Sequence, residues 1–351
     1  MNKFDNRYEF RLAKREEIPQ LMKFIEDYWG KNHILAHDRK LFDWMYVIKD
    51  DNEHVNVAVA IDKNTQTIEQ FFGIIDCSAT HDLGKKDIWG ALWKVCPEHD
   101  NFPFLGVELV KRLPQIKPHR EYLGNGSNPQ TSAKLLRNVF HWYTENMKHY
   151  FLLNPNKTEF HIARIIDRPS PIVTKNALIK ICTLTDINAV CQHFDFDSVT
   201  TIPYKDAWYF NHRYFEHPYY HYIVWGLQEN DTANHTALLV MREVQANGAK
   251  ALRIVDYMGD SSLLHGIYPH LCDYLVEHDY EYVDFYFTGL NEVDAQAAGF
   301  TQRREEDNNI IPNYFEPFEQ KNVEIISHHM TPNALIFRGD GDQDRPNVIK
   351  I

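Results

Sequence analysis

The hydrophobic and polar residues of this chain follow an order that predicts a strand, a helix and a hairpin in its first part. YEFRL at 8–12 alternates as a short β-strand, and PQLMKFIEDYWG at 19–30 carries apolar residues at helical spacing. VNVAVAID at 55–62 and TIEQFFGIIDC at 67–77 are typical of two strands of a hairpin around residues 63–65. The chain therefore opens as an α/β unit.

The same order continues to about residue 140. DIWGALWKV at 87–95 predicts a strand, PEHDNFPFLG at 97–106 a loop, and VELVKRL at 107–113 a helix. REYLGNG at 120–126 predicts another strand, and SNPQTSAKLLRNV at 127–139 a loop and a helix that Phe140 closes. A strand, a loop and a helix N-terminus thus follow one another in the middle of this unit.

The second half repeats this order at a nearly constant offset. ALIKICTLTDINAVCQHF at 177–194 again leads from a strand to a helix, and HTALLVMREV, KALRIVDYM and YEYVDFYFTGLN match the later strands. Tyr214 follows Tyr46 by 168 residues, Asn291 follows Asn128 by 163, and Phe300 follows Phe140 by 160. A slowly drifting offset predicts two copies of one unit, although any α/β chain yields some coincidences of this kind.

The boundary between the copies is predicted near residue 172. The segment 154–176 contains three prolines and has no clear periodicity, which is typical of a connection. We therefore predict an N-terminal domain at 1–172 and a C-terminal domain at 173–351. The final RGDGDQDRPNVIKI at 338–351 is polar and rich in turn residues, and we expect a tail on the surface.

Composition narrows the class of protein. The 351 residues carry a net charge of −12 without a Lys/Arg cluster, which argues against nucleic-acid or anionic-membrane partners. Five scattered cysteines and no signal peptide indicate reduced thiols and a cytoplasmic, soluble protein. No apolar run approaches the roughly 20 residues of a membrane helix.

A phosphate-binding loop is predicted in the first half. A helix N-terminus presents backbone N–H groups and a positive dipole end to an anion. In the first half the loop at 98–106 precedes such a helix. In the second half the shorter loop at 258–262 has Asp256 and Asp260 beside it, which would repel phosphate.

The strand order, the loop position and the late Asn followed by a helix and Phe resemble the GNAT acyltransferase superfamily. The resemblance implies a mixed-sheet α/β (α+β) fold in two tandem GNAT-like domains, with acetyl-CoA or another acyl-CoA as co-substrate. HDNFPFLG keeps one glycine of the family's phosphate-binding signature, Gly106, and lacks the leading basic residue. By position, the resemblance assigns the cofactor to Val95, Cys96, Phe104, Leu105, Gly106, Val107 and Asn128.

The resemblance also implies amine attack on a thioester, which needs a base and an acid. Glu98 and His99 follow the strand that would carry the cofactor, so either is a candidate base. The alternative is that both are solvated residues of a surface loop without a catalytic role. Tyr143 lies near the position of the family's usual acid. The chain lacks a serine or cysteine nucleophile motif, so covalent catalysis is not expected.

Acceptor-binding residues are predicted in both halves. NHILAHD follows the first helix, where the family lines the acceptor side, and HRYFEHPYYHY forms a polar-aromatic cluster in the second half. Packing within the fold is the alternative for these aromatic residues. The residues assigned to the acceptor are His33, His37, Asp38, Arg213, His217, Tyr219, Asp256 and Glu316. No metal is expected, because the histidine pair lacks a third ligand and DGDQD lacks the Gly and Glu of a calcium loop.

These assignments predict an acyl-CoA-dependent N-acyltransferase. More narrowly, NHILAHDRKLFDWMY, IPNYFEPFE and DGDQDRPN resemble acyltransferase-like proteins encoded among bacterial surface-polysaccharide and amino-sugar genes. That likeness implies a small-molecule amino-sugar acceptor, nucleotide-linked or of the nonulosonic type, in surface glycan biosynthesis. Two alternatives stay open: a sugar-binding or scaffold protein whose acyl-CoA site has decayed, and an aminoacyl-tRNA-dependent transferase.

Overall fold

The computed structural model describes residues 2–172, 178–229 and 236–347, which form two large mixed β-sheets with helices packed against them. The first-half elements are α1 Lys3–Arg7, β1 Tyr8–Lys14, α2 Ile18–Tyr28, α3 Ile34–His37, α4 Arg39–Met45, β2 His54–Asp62, β3 Ile68–Asp76, β4 Asp87–Val95, α5 Leu105–Ile116, β5 Glu121–Asn125, α6 Ser132–Val139, β6 Tyr143–Asn146 and β7 Lys148–Leu153. The predicted hairpin, strands and helices of this half are confirmed.

The second half is built in the same way. Its elements are β8 Ile179–Leu184, α7 Ile187–Cys191, α8 Ala207–Phe210 with a π-helical continuation at Asn211–Phe215, β9 Ile223–Glu229, β10 Ala237–Ala246, β11 Ala249–Gly259, α9 Tyr268–Glu277, β12 Tyr280–Thr288, α10 Glu292–Ala297, β13 Thr301–Gln302, β14 Tyr314–Phe315, β15 Phe318–Glu319, β16 Ile326–His329 and β17 Ile336–Phe337.

Amphipathic helices pack their apolar sides against the sheets. On α2, Leu21, Phe24 and Ile25 are buried, whereas Lys23 and Asp27 on the opposite side form an exposed ion pair. Burial of each large apolar side chain contributes about 1.5–3 kcal/mol, so packing rather than helix propensity fixes this segment. Within the described part of the chain, the helices are too short or too polar to cross a membrane.

The sheet order confirms the predicted repeat. In the first sheet β1, β2, β3 and β4 are antiparallel neighbours and β4 pairs parallel with β5. In the second sheet β8, β9, β10 and β11 are antiparallel neighbours and β11 pairs parallel with β12. Both copies therefore share one topology.

Each half gives a strand to the sheet of the other. β7 lies between β12 and β13 in the second sheet, and β16 lies between β5 and β6 in the first. Because only Met147 separates β6 from β7, the chain passes from the first sheet to the second at this residue. Neither sheet is complete without the other half. The predicted domain boundary near residue 172 adjoins residues 173–177, which lie outside the described range, so it stays a prediction.

Candidate functional site

The first sheet opens into a gap between β4 and β5. Their parallel pairing ends at Trp89 and Leu123, and β4 has a bulge at Leu92, whose φ is +53°. From residue 90 to 95, no strand of the described residues pairs with the β5-facing edge of β4. This gap, called the first wedge here, leaves backbone groups available to an extended ligand.

Helix α5 begins beside the first wedge. Its N-cap, Phe104, has a φ of +67° and a side chain that is 71% exposed. A Cβ at Gly106 would lie 3.2 Å from Nε1 of Trp93 on β4, so the glycine lets the helix start close to the strand. The first-turn N–H groups, including those of Gly106 and Val107, have no partner within a helix. Leu105 is buried below them.

The loop before α5 is acidic, but the N-terminus of the chain brings cations to it. Lys3 Nζ lies 5.3 Å from the ring centre of Phe102, and Arg7 Nη1 donates to the carbonyl of Asp100 at 2.7 Å. Arg7 also pairs with Asp62, whereas the side chain of Lys3 is exposed. The sequence motif alone lacks a basic residue here, and the fold supplies it from about 100 positions upstream.

His99 is held by a buried carboxylate. Glu69 on β3 is 2% exposed, and both its oxygens lie 2.9 Å from Nδ1 of His99. Asn101 Nδ2 donates to the same carboxylate at 2.8 Å. Glu98 is exposed beside them. Sequence reasoning identified His99 but missed Glu69, which lies on a different strand.

The backbone of Cys96 is already engaged. Its N–H donates to the carbonyl of Glu69 at 2.8 Å, and its carbonyl accepts from Asn101 Nδ2 at 3.3 Å. Val95 pairs with Gln70 across the β3–β4 ladder. Ligand atoms of Glu69, Cys96 and His99 lie within 4.8 Å of one another, so these three residues could hold a metal ion.

Two other predicted residues lie farther along the first sheet. Asn128 is exposed and its Oδ1 accepts from the backbone N–H of Gln130 at 2.8 Å, shaping the loop after β5. Tyr143 is on β6 and stacks on His329 of β16 with ring centres 5.3 Å apart. Because β16 separates β6 from β5, Tyr143 lies two strands, roughly 10 Å, beyond β5.

The equivalent gap in the second sheet is filled by the chain itself. The pairing of β11 with β12 ends at Ile254 and Phe285, and beyond it β17 pairs with β12. On the other side, the N–H of Gly339 donates to the carbonyl of Val255 on β11 at 2.7 Å. Any Cβ at Gly339 would lie 2.7 Å from that carbonyl, so the inserted segment requires glycine.

Up to residue 347 the C-terminal segment is therefore not on the surface, so that prediction is wrong for 338–347; residues 348–351 lie outside the described range. Residues 336–347, called the tail here, run between the two halves, with Asp340 0% and Asp344 1% exposed. Lys205 Nζ lies 2.7 Å from Asp340 and 2.8 Å from Asp256. These ion pairs offset the cost of removing the acidic side chains of the tail from water. Because of that cost, the acidic sequence of the tail had predicted exposure.

Asp256, predicted to contact the acceptor, lies in this buried cluster. Its Oδ2 accepts from the hydroxyl of Tyr214 at 2.6 Å, in addition to the ion pair with Lys205. Burial and the neighbouring Asp256 raise the pKa of Asp340 to about 6, against the opposing effect of Lys205. Burial therefore favours the protonated form of Asp340 more than in an exposed aspartate.

The acceptor residues predicted in the first half meet the second half. Tyr219 donates a hydrogen bond to Asp38, and this bond raises the pKa of Tyr219 to about 12. Arg345 of the tail lies 3.2 Å from Nε2 of His33, and burial lowers the pKa of His33 to about 3. His37 pairs with Glu26 at 2.7 Å instead.

Arg213 and His217 are buried at the same junction. The guanidinium of Arg213 lies 5.3 Å from the ring centre of Trp44, and the ring centre of His217 lies 4.3 Å from the ring centre of Trp44. Burial, followed by the charge of Arg213, lowers the pKa of His217 to about 3. The fold brings Arg213, His217 and Tyr219 together, whereas Glu316 is on the rim of a cavity of about 420 Å³ beside them.

No protein-family description and no curated protein matches this chain in sequence. In structure it is similar to a GCN5-related N-acetyltransferase from Anabaena variabilis, with a TM-score of 0.53 and 10% identity over 92% of this chain and 72% of that one. A probable N-acyltransferase of unknown function from Enterococcus faecalis gives a TM-score of 0.54 and 7% identity, over 91% and 71%. At such identities the similarity shows the fold: the chain has the GNAT fold, and the predicted fold class is confirmed.

Proposed function

We propose that the protein is an acyl-CoA-dependent N-acyltransferase that uses only the first wedge. The observation that carries this proposal is the contrast between the two halves. The edge of β4 at 90–95 is open, whereas Gly339 and β17 occupy the same place between β11 and β12. One copy thus keeps the slot that the GNAT fold offers to pantetheine, and the other copy has closed it.

The first wedge also has a place for the diphosphate of the co-substrate. Pantetheine would lie along residues 90–95, and the first-turn amides of α5 at Gly106 and Val107 would face the diphosphate. Lys3 would add a positive charge from the N-terminal helix. A mobile lysine near the surface increases affinity mainly through charge, so binding should weaken with salt.

His99 stays the predicted base, and its Nδ1 lies 2.9 Å from the buried carboxylate of Glu69. When Glu69 accepts the Nδ1–H of His99, the ring has its basic nitrogen at Nε2, on the exposed side. An acceptor ammonium would lose a proton to Nε2, and its amine nitrogen would then attack the acyl carbon of the thioester. The adduct collapses with cleavage of the C–S bond and loss of the second proton from the nitrogen, and the departing CoA thiolate takes up one proton, for which Tyr143 stays the predicted donor. Glu98 stays the alternative base.

The acceptor is proposed to enter between the halves. Tyr219 meets Asp38 there, and Arg345 of the tail meets His33, which offers an aromatic face and hydrogen-bonding groups to a polar ring. Aromatic faces with neighbouring polar groups suit sugar binding, and the sequence resemblance implies an amino-sugar acceptor. Within this proposal the amino group is acylated and the rest of the sugar is held by the second half.

Ligand-dependent thermal stability tests the proposal. A ligand present at 100 times its dissociation constant stabilises the folded state by about 2.7 kcal/mol, which raises Tm. Acetyl-CoA, longer acyl-CoAs, an amino-sugar and charged tRNA should be added separately. We expect acyl-CoA to raise Tm and to be consumed when an amino-sugar is present. A response to sugar without acyl-CoA would favour a binding protein, and a response to tRNA alone would favour the aminoacyl transferase.

A further inference from the structure

The cavity of about 420 Å³ in the second half is lined by four arginines. They are Arg242 on β10, Arg253 on β11, and Arg338 and Arg345 of the tail. Tyr220 and Asn313 are among the other polar residues of the lining. We infer that this arginine cavity binds the carboxylate or phosphate group of a small ligand.

Arg338 carries the inference, because its charge has no near counterion. It is 5% exposed, and its guanidinium donates to Asn313 Oδ1 at 3.0 Å and to the carbonyl of Gln343. Among the described residues, no carboxylate oxygen lies within 4 Å of it. Both hydrogen-bond partners are neutral, so among the described residues the buried guanidinium of Arg338 has no carboxylate in contact with it.

The other arginines are already paired. Arg242 Nη2 lies 2.6 Å from Asp344, and Arg253 Nη2 lies 3.0 Å from Asp284. Arg345 Nε lies 3.6 Å from Asp342. These pairs hold the guanidinium groups in place while leaving Arg338 as the excess cation.

Electrostatics agrees with this geometry. Burial, and then the neighbouring Arg253, lowers the pKa of Arg338 to about 10, while Asp344 opposes the shift. An isolated buried charge is costly, and an oxyanion with two or more acceptor atoms would remove that cost. Arginine matches planar carboxylates and phosphates through two parallel hydrogen bonds.

Three acidic residues also line the cavity, and none of them forms an ion pair with Arg338 within 4 Å; Asp344 pairs with Arg242. Glu243 accepts from the hydroxyl of Tyr280 at 2.9 Å and pairs with Lys250 at 3.2 Å. Glu316 is half-buried and lies 3.5 Å from the hydroxyl of Tyr220. Glu243 and Glu316 therefore engage groups other than Arg338.

The arginine cavity extends toward the first wedge. Gln343 lines it, and a Cβ at Gly126, directly after β5, would lie 1.9 Å from Nε2 of Gln343. The inference therefore deepens the proposed function on which this step rests: the acceptor is an amine that also bears a carboxylate or a phosphate. Binding of the anion itself does not depend on acyl transfer.

Calorimetric titration without acyl-CoA tests the inference directly. The probes are D-glucosamine, D-glucosamine 6-phosphate and muramic acid, an amino-sugar with a carboxylate. We expect one or both anionic probes to bind at least about tenfold more tightly than glucosamine, since hydrogen bonds to charged groups have that strength. The probe that binds identifies phosphate or carboxylate as the group. Equal affinity for all three probes would overturn the inference.

Variants then locate the site. Arg338→Gln should weaken binding of the anionic probe about 10- to 100-fold. Arg303→Gln is the matched control, because Arg303 is 6% exposed but lies away from the arginine cavity. If Arg338→Gln does not fold, Arg345→Gln at the cavity should weaken the same probe. Unchanged affinity in a folded cavity variant contradicts the inference, whereas failure to bind acyl-CoA contradicts only the proposed function.

Discussion

Trp44 and His212 each hydrogen-bond to the backbone carbonyl of the other. Trp44 Nε1 donates to the carbonyl of His212 at 3.1 Å, His212 Nε2 lies 2.9 Å from the carbonyl of Trp44, and the rings stack with centres 5.2 Å apart. The two residues are 168 positions apart, the offset of the repeat. The contact therefore lies where an approximate twofold axis relates the two copies.

Removal of one side of this contact should loosen the junction of the halves. Trp44→Phe deletes the indole donor to the half-buried carbonyl of His212, so we expect a loss of about 0.5–1.5 kcal/mol in the free energy of unfolding. Urea unfolding measures the change. Trp29→Phe is the control, because Trp29 is 43% exposed and should change stability little.

A carboxylate at the start of α5 should block the co-substrate. Gly106→Glu places a negative charge and a bulky side chain against Trp93, where the diphosphate is proposed to bind. We expect acyl-CoA affinity to fall at least about 100-fold, measured by calorimetry, while circular dichroism shows a folded protein. Gly84→Glu adds the same charge at an exposed loop and should retain affinity. Unchanged binding in Gly106→Glu would place the co-substrate elsewhere.

Loss of the proposed base should reduce turnover more than binding. General-base catalysis contributes about 10²–10⁴-fold, so His99→Gln should lower kcat by that range with little change in KM. Glu69→Gln removes the charge that orients the ring and should alter the pH profile of kcat. The exposed His278→Gln, directly after α9, is the control for a histidine outside the site. A kcat for His99→Gln within twofold of the wild-type value would exclude His99 as the base.

The tail should be sensitive to a single methyl group. Gly339→Ala would place a Cβ 2.7 Å from the carbonyl of Val255, which is backbone and cannot rotate away. We expect a loss of about 1–3 kcal/mol in unfolding free energy, since the overpacking is relieved by moving the tail away from β11. Gly30→Ala, which meets nothing within 4 Å, serves as the control. Equal stability of the two variants would show that the segment is not inserted.

The buried acidic cluster should make stability depend on pH. The pKa of Asp340 is raised from 3.8 to about 6, so the folded state binds more protons than the unfolded state between these values. Its contribution is fully present below pH 3.8 and is lost as pH rises through 6. The change is on the order of 2–3 kcal/mol. Urea unfolding at pH 4.5 and 7.5 should show this slope in the wild type and a smaller one in Asp340→Asn.

The tail shows why part of the site could not be read from the sequence. Asp340, Asp342 and Asp344 in a polar segment indicate solvent exposure by every local rule. Their burial depends on Lys205 and Arg242, which are about 100 or more positions away. Likewise, no local pattern indicates that Lys3 would approach the loop before α5, or that Glu69 would hold His99.

The sequence by itself determined the elements and their repetition. Period-2 and helical patterns reflect burial of one face of a strand or helix, so they identify β2, β3 and α5, and their recurrence after 160–168 residues identifies two copies. Only the tertiary structure decided which copy keeps an open wedge, that β7 and β16 change sheets, and where the arginine cavity lies. Those features arise from contacts between distant residues, and their charges and backbone groups find partners only when both halves are folded together.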